Sequence, residues 1–413
     1  MSTVEVDDPL DFSSEEFISN PWPVYERLRN TAPVHWSERN NAFFVSKHDD
    51  VRSALSDRRV VSTFPLRMSR KLFGRTVLDS DGAEHREFRK MLAPIFSNAA
   101  VERLRAAVLA PAVDEALAGI ATGADGAGEV DIDFMESIAV AVPYGVVTRL
   151  AGLPPEDAAW LRGRVLPLTW AHEFPPGPLA PAREAKAELD AYLLAALAGR
   201  RQDNGWLTML DLLCPAGEPV DPARISLMVL LLGAATETSV SAIAKVMYAA
   251  LAHGVAFDAL LDDDFRENVV RETLRWEPPS HSVVKYAATD LTIRGVTIPR
   301  RSAIILSIAS ANRDEDAYED PDSWRPDRTE RRIMSFSTGP HSCIGMQMAL
   351  VELEMLFGKL SRRYGTARPA GALHGARRGL YRIRERGHTF RKPESLHVRL
   401  TPRDGTGKGR ADD

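Results

Sequence analysis

A cysteine lies in a short loop between two glycines, in the order Gly339, Cys343, Gly345. An amphipathic pattern typical of a helix follows directly and runs from Met346 to Tyr364. A Cys343 thiolate would therefore lie at a helix N-terminus, where free backbone N–H groups and the helix dipole stabilise negative charge. Neither glycine carries a Cβ, so the loop can turn tightly and approach a flat ligand closely. The alternative is an inert cysteine that packs as a small hydrophobe.

An acid and a hydroxyl, Glu237 and Thr238, interrupt a strongly apolar helical segment. The segment begins at Asp221-Pro222, which suits an N-cap and a first turn, and its pattern continues to about Ala252. About 30 residues at 1.5 Å per residue predict a helix of roughly 45 Å. Polar groups inside such a helix are costly unless they are paired or lie beside water. The alternative is a hydroxyl that bonds back to the carbonyls of its own helix.

Two pairs of charged residues have helical spacing. His85 and Arg89 are four residues apart, so they share a helix face that suits two adjacent carboxylates. Glu272 and Arg275 are three apart in a helix pattern that ends before a Pro-Pro pair. A solvated pair of this kind is worth only about 0.3–0.5 kcal/mol. Either pair could therefore be ordinary surface charge.

The elements that would position these residues are mainly helical. The patterns predict a first helix over 20–30, helical periodicity over most of 101–274, and short strands over 34–36, 42–46, 283–306 and 396–400. No repeat or free linker is evident. We expect a mainly α fold with a small β-rich part (α+β). It would form one domain over 20–402, with an N-terminal tail over 1–19 and a disordered tail over 403–413.

Bulk properties exclude several functional classes. The chain has 413 residues, 52 basic and 57 acidic, and a net charge of −5. It therefore lacks the excess of basic residues expected of a protein that binds nucleic acid or an anionic membrane. The apolar run Leu227 to Ala235 has nine residues, whereas about 20 span a bilayer. The first residues lack the apolar region of a signal peptide. Two cysteines make no disulfide framework, and we interpret Cys214 as a packed hydrophobe. We expect a cytoplasmic protein.

The cysteine loop has the pattern F-x-x-G-x-H-x-C-x-G, filled by Phe336, Gly339, His341, Cys343 and Gly345. This pattern resembles the haem-binding loop of the cytochrome P450 family. The resemblance implies the fold of that family, with the haem between the long central helix and the helix of the cysteine loop. It also implies that Cys343 is the proximal thiolate ligand of the haem iron, a ligation that favours O–O cleavage.

Other segments match the same family and receive roles from the resemblance. Glu237 and Thr238 resemble its acid–alcohol pair for oxygen activation, in which Thr238 would hold a water and Glu237 would help to deliver protons. Small residues such as Ala234 would leave room above the haem. The family often has glycine at the position of Ala235, and alanine favours a straighter helix there. The residues that resemble haem-propionate ligands are His85, Arg89, His341 and Lys285, the last where the family often has arginine.

The pair Glu272 and Arg275 resembles a buried structural pair of the family, for which Arg328 would be the third partner. Thr329 follows where the family has phenylalanine. Ala311-Asn312-Arg313-Asp314 also resembles a family signature. The resemblance extends over most of the chain. It implies approximate pocket walls at 61–78, 169–174, 230–235, 282–284 and 389–390.

The function implied is monooxygenation of an organic, largely apolar small molecule by hydroxylation or epoxidation, with a role in secondary-metabolite biosynthesis. The cofactor would be heme b, and electrons would come from NAD(P)H through ferredoxin reductase and an acidic ferredoxin, because no reductase domain is fused to the chain. We expect a monomer without membrane or nucleic-acid partners. Two alternatives remain open: a haem-thiolate catalyst of ring closure or oxidative coupling, and a non-catalytic haem-thiolate docking module.

Overall fold

The computed structural model describes residues 8–120, 128–199, 205–330, 332–370 and 385–403. Helices dominate these ranges, and short strands form small sheets, as the sequence predicted. The α-helices are α1 Glu15–Ser19, α2 Trp22–Thr31, α3 His48–Ser56, α4 Met68–Phe73, α5 Gly82–Phe96, α6 Asn98–Leu104, α7 Ala110–Ala118, α8 Ala141–Ala151, α9 Ala158–His172, α10 Leu179–Ala198, α11 Met209–Leu213, α12 Pro222–Ala252, α13 Asp263–Trp276, α14 Ile308–Ala311 and α15 Met346–Arg363. Single π-helical segments occupy Arg105–Leu109 and Met135–Val140, and 3₁₀ turns occupy Pro155–Asp157 and Phe257–Leu261.

The strands are β1 Val34–Ser37, β2 Ala42–Val45, β3 Val60–Val61, β4 Val130–Asp133, β5 Ser282–Ala287, β6 Leu291–Ile293, β7 Val296–Ile298, β8 Ala303–Ser307, β9 Tyr364–Pro369, β10 Glu385–Arg386, β11 Lys392–Pro393 and β12 His397–Pro402. The largest sheet has the order β1-β2-β8-β5-β3, in which β2 and β8 are parallel and the other neighbours antiparallel. A second sheet has the order β4-β12-β9, and two hairpins pair β6 with β7 and β10 with β11.

Helix α12 forms the centre of the largest hydrophobic core. Its start matches the sequence prediction, because the Asp221 side chain accepts the Ala223 N–H and Pro222 occupies the first turn. The helix is long and apolar enough to cross a membrane, but 78% of its most apolar 18-residue stretch is buried inside the protein. Its hydrophobicity is therefore explained by packing against α8, α9, α10 and α13.

The structure adds detail to two sequence predictions, those for the N-terminal tail and for the helical region. Part of the predicted tail packs on the protein, because Leu10, Phe12 and Phe17 are buried in a cluster with Tyr25. Strand β4 lies in a region predicted as helical, because it pairs with β12 near the other end of the chain. The predicted C-terminal tail lies outside the described residues apart from Arg403.

Candidate active site

The loop before α15 places Cys343 at the start of that helix. The Cys343 N–H donates to the Phe336 carbonyl at 2.8 Å, which closes the loop. The backbone N–H groups of Gly345 and Met346 donate to the Cys343 sulfur. Burial raises the pKa of the Cys343 thiol, while these N–H groups and the Arg89 guanidinium oppose that rise. Although the sulfur lies deep among protein atoms, the residue keeps a solvent-accessible surface, so a ligand can reach it.

The two glycines of the loop have different structural roles. Gly339 has φ +71°, and a Cβ there would lie 2.6 Å from the Leu55 carbonyl oxygen at the end of α3. Its missing side chain therefore admits the neighbouring backbone of α3, and its positive φ is the tight turn that the sequence predicted. A Cβ on Gly345 would lie 4.0 Å from Cys343 Sγ without a clash. Gly345 thus lies beside the sulfur, where its N–H acts.

Three of the four residues predicted to hold carboxylates come together in space. The rings of His85 and His341 have centroids 4.0 Å apart. His341 Nε2 lies 3.1 Å from Asp81 Oδ1 and 3.2 Å from Ser62 Oγ. Lys285 Nζ on β5 donates to the same Ser62 hydroxyl. Helix α5, strand β5 and the cysteine loop therefore supply one cluster.

Burial keeps the cationic groups of this cluster from holding their full charge, although the Asp81 carboxylate opposes the effect. Burial lowers the pKa of Lys285 to about 7, and the Arg67 charge adds to that effect. Burial likewise lowers the pKa of His85 to about 4, with further repulsion from His341 and Arg89. Buried cationic groups lose charge in this way when too few opposite charges lie nearby. A bound dicarboxylate would reverse the effect.

The fourth predicted residue, Arg89, contacts the cysteine loop. Its Nη1 donates to the Ser342 carbonyl at 2.6 Å. The guanidinium therefore lies where it acts on both the Cys343 thiol and the histidine cluster.

Helix α12 presents a small residue and a hydroxyl at its middle. Ala234 is exposed, whereas Leu232 and Thr236 on either side are buried. Thr238 Oγ1 donates to the Ala234 carbonyl at 2.9 Å, and Thr236 makes the same bond to Leu232 at 2.9 Å. The back-bonding alternative is therefore present. A hydroxyl that donates still has acceptor lone pairs, so Thr238 can also accept a hydrogen bond from a water.

Glu237 is buried and held by two partners that the sequence did not reveal. The Tyr144 hydroxyl on α8 donates to Glu237 Oε1 at 2.8 Å, and Lys392 Nζ on β11 pairs with Oε2. Burial and the Glu237 charge raise the pKa of Tyr144, which keeps it a proton donor. The acid is therefore fixed from two other elements.

The predicted ion pair on α13 is confirmed, together with its third partner. Glu272 Oε1 lies 2.7 Å from Arg275 Nη2 and 3.0 Å from Arg328 Nε, and all three side chains are buried. Arg275 Nη1 donates to the Asn312 carbonyl at 2.8 Å, and the Asn312 side chain accepts the Met334 N–H at 2.7 Å. Since Met334 lies two residues before Phe336, this network fastens the cysteine loop to α13.

The donor set fits the group that the sequence implied. A cysteine sulfur that accepts backbone N–H groups suits a soft iron ligand. The cluster of His85, His341 and Lys285, with Arg89 near it on the cysteine loop, suits the two carboxylates of a haem. The residues missed from the sequence are Tyr144, Lys392 and Arg67, whose Nη1 donates to the Ser62 and Leu78 carbonyls. Each lies outside a recognisable motif, so no local signal could have found it.

Comparisons with known proteins agree with this geometry. A family model described as Cytochrome P450 matches residues 254–369. The chain is 30% identical to cytochrome P450 monooxygenase PikC of Streptomyces venezuelae, over 84% of this chain and 85% of the relative. It is 27% identical to the 20-oxo-5-O-mycaminosyltylactone 23-monooxygenase of Streptomyces fradiae, over 87% and 86%.

A comparison of structures gives the same fold. The crystal structure of P450BioI in complex with an acyl carrier protein ligated to hexadec-9Z-enoic acid superposes with a TM-score of 0.82. It covers 93% of this chain and 100% of that one at 22% identity.

Proposed function

Since the chain belongs to the cytochrome P450 family of monooxygenases, we propose that it inserts one oxygen atom from O₂ into a largely apolar organic small molecule. Hydroxylation or epoxidation is the expected outcome. The observation that carries this proposal is the Cys343 sulfur, which accepts two backbone N–H groups at the start of α15 and remains accessible.

The proposed cofactor is heme b, which supplies O₂ binding and reduction at a thiolate-ligated iron. In this chain Cys343 would hold the iron, and His85, Arg89, His341 and Lys285 would hold the two carboxylates. Phe336, Gly339 and Gly345 shape the loop around the sulfur.

On α12 one proposed role is to leave space beside the helix, and the other is to supply protons. Ala234 leaves room beside the helix because its side chain is a methyl group. Thr238 accepts a hydrogen bond from a water, and Glu237 supplies protons to that water. Successive residues of a helix point about 100° apart. Glu237, which Tyr144 and Lys392 hold in place, must therefore act through water.

The relatives suggest a substrate class. One of them is named as the monooxygenase of 20-oxo-5-O-mycaminosyltylactone, and we propose that this chain also acts in secondary-metabolite biosynthesis. The proposed pocket walls include 169–174 and 389–390, which meet where the Phe174 N–H donates to Thr389 Oγ1 at 3.3 Å.

Electrons are proposed to reach the haem from NAD(P)H through ferredoxin reductase and ferredoxin, with the chain acting as a cytoplasmic monomer. The test begins with a compound library screened for the change in haem spin state that follows displacement of an axial water. Binders are then incubated with surrogate ferredoxin, reductase, NAD(P)H and ¹⁸O₂. One labelled oxygen atom in the product supports the proposal. The proposal would be contradicted if the product were a coupled dimer of the substrate or a closed ring without label, or if no NAD(P)H were used.

A further inference from the structure

The ion pair between Glu237 and Lys392 joins the core to the protein surface. The Glu237 side chain is 4% exposed, whereas that of Lys392 is 23% exposed. The other partner of Glu237, Tyr144, is buried. Lys392 is therefore the contact through which the Glu237 carboxylate communicates with solvent.

Lys392 forms an ion pair with Glu237, although Glu136 and Glu173 also lie near enough to act on it. Arg162 lies near enough to act on both Tyr144 and Glu237, but its Nη1 is 2.6 Å from Glu136 Oε2, which it already neutralises. Glu136 in turn acts on Arg162 and Lys392. Without Lys392, the Glu237 carboxylate would have no ion-pair partner among the residues that the structure describes. Burying such an unpaired charge is strongly unfavourable.

The backbone that carries Lys392 is firmly attached to α12. The neighbouring Arg391 N–H donates to the Pro279 carbonyl at 3.0 Å, and the Arg391 carbonyl accepts from the Ser241 hydroxyl. Ser241 lies one helical turn after Glu237. The Arg391 guanidinium also pairs with Glu385 on the opposite strand. Lys392 therefore projects from a fixed strand.

The segment just before this strand reaches the proposed substrate wall. The Thr389 carbonyl accepts the His281 N–H at 2.8 Å, and Phe390 forms a bridge with Ser280. Within four residues the chain thus passes from the wall at 389–390 to the acid on α12.

We propose that Lys392 is a positioning residue for proton delivery, which holds the Glu237 carboxylate in its buried site and links it to solvent. This rests on the proposed function, in which Glu237 supplies protons. The pair fixes which way the carboxylate points. Lys392 neither contacts the iron ligand nor takes part in the cluster for the haem carboxylates.

The test uses the haem-loaded chain with Lys392→Met, which keeps the length of the side chain and removes its charge. We expect product per NAD(P)H to fall several-fold, with the difference appearing as peroxide or water. Lys392→Arg should restore at least half of the lost coupling. The dissociation constant from the spin-state titration should stay within about twofold, because the charge at Lys392 serves Glu237 rather than the substrate.

The matched control is Arg386→Met, which alters the residue opposite Lys392 in the same hairpin. Arg386 is 70% exposed and pairs with Glu394 rather than Glu237. This variant should couple like the wild type. Uncoupling by Arg386→Met, or no rescue by Lys392→Arg, would show a general effect of the hairpin and overturn the proposal.

A thermal unfolding cycle gives a readout independent of turnover. Lys392→Met should lower Tm more than Glu237→Gln does, because Glu237 is the more buried partner. The double variant should lose less than the sum of the two. Additive losses would contradict a direct pair.

Glu237→Gln distinguishes a failure of the Lys392 proposal from a failure of the proposed function. If it uncouples turnover while Lys392→Met does not, Lys392 has no positioning role and the proposed function stands. If Glu237→Gln leaves coupling unchanged, the acid role within the proposed function is wrong.

Discussion

Cys343 and Cys214 show how neighbours decide what a cysteine does. Cys214 is buried at the end of α11 among apolar side chains. Cys343 also has its thiol pKa raised by burial, but two backbone N–H groups and Arg89 act on its sulfur. A group held this way can carry negative charge toward a metal.

Replacement of the cysteine tests the ligand assignment. Cys343→Ala should abolish the thiolate-type absorption of the reduced carbonyl complex, because no other sulfur lies in the loop. The absorption spectrum after reduction under CO measures this directly. Cys214→Ala is the control and should keep the spectrum. A thiolate-type spectrum from Cys343→Ala would refute the assignment.

The Thr238 hydroxyl donates its proton to the carbonyl of Ala234 in its own helix. It can therefore hold a water only by accepting a hydrogen bond from it. Thr238→Ala should keep the haem spectrum but divert reducing equivalents into peroxide or water, because the water beside α12 loses its acceptor. Peroxide and product are measured per NAD(P)H consumed. Thr236→Ala removes the equivalent back-bond from a buried site and should leave that ratio unchanged. Equal effects of the two variants would indicate helix stability alone.

At the scale of elements, helix α13 supports the cysteine loop through buried charge. Glu272 lies between two buried arginines, Arg275 and Arg328. Removing its carboxylate leaves both guanidinium groups unpaired, whereas their other bonds go to backbone carbonyls. The network therefore holds only while the acid is present.

Glu272→Ala should lower the free energy of unfolding by about 3–5 kcal/mol, as expected for a broken buried pair. The haem content of the purified protein should fall with it. Urea unfolding and the ratio of haem to protein absorbance measure the two effects. Glu267→Ala breaks a half-exposed pair with Arg271 on the same helix and should cost under about 1 kcal/mol. Similar losses for both would contradict the support role.

At the scale of the whole molecule, one buried acid makes stability depend on pH. Glu352 on α15 is buried, and burial raises its pKa to about 8. The unfolded chain releases this proton near the ordinary value of 4.5. Between these values the native state holds a proton that the unfolded state lacks. The contribution of Glu352 to stability is therefore full below about pH 4.5 and declines as the pH rises to about 8.

Glu352→Gln should remove this decline, which is on the order of 3–5 kcal/mol at about 1.4 kcal/mol per pKa unit. Urea unfolding from pH 5 to pH 9 compares the slope of stability against pH in the two proteins. The slope should become flatter in the variant over that window. An unchanged slope would show that Glu352 is ionised in the native protein.

Electron transfer also concerns the whole molecule. With a net charge of −5, attraction to an acidic ferredoxin requires a local basic patch. We propose Lys90, which follows the segment of His85 and Arg89, and Arg331 and Arg332, which precede the cysteine loop. Lys90 and Arg332 are exposed, and Arg331 lies outside the described residues. Replacing all three by Gln should slow reduction by ferredoxin about three- to tenfold at low salt, and less at high salt. Stopped-flow reduction measures the rate, and spin-state titration controls for substrate binding. A reduction rate that is unchanged and independent of salt would exclude this surface.

The sequence by itself determined the features that depend on local pattern. The start of α12 at Asp221-Pro222, the helix after Cys343 and the pair of Glu272 with Arg275 follow from caps, periodicity and spacing within a few residues. The family loop around Cys343 was also readable, because its fixed positions lie within ten residues.

Only the tertiary structure decided which distant residues meet. Tyr144 and Lys392 reach Glu237 from 93 and 155 residues away, and β4 pairs with β12 across a still longer separation, as between Asp133 and His397. Gly339 is required by the Leu55 carbonyl, which no motif in the loop announces. Local patterns report burial, capping and turns. The partner of a buried charge depends on how the whole chain closes around its core, and a single sequence does not encode that in any short window.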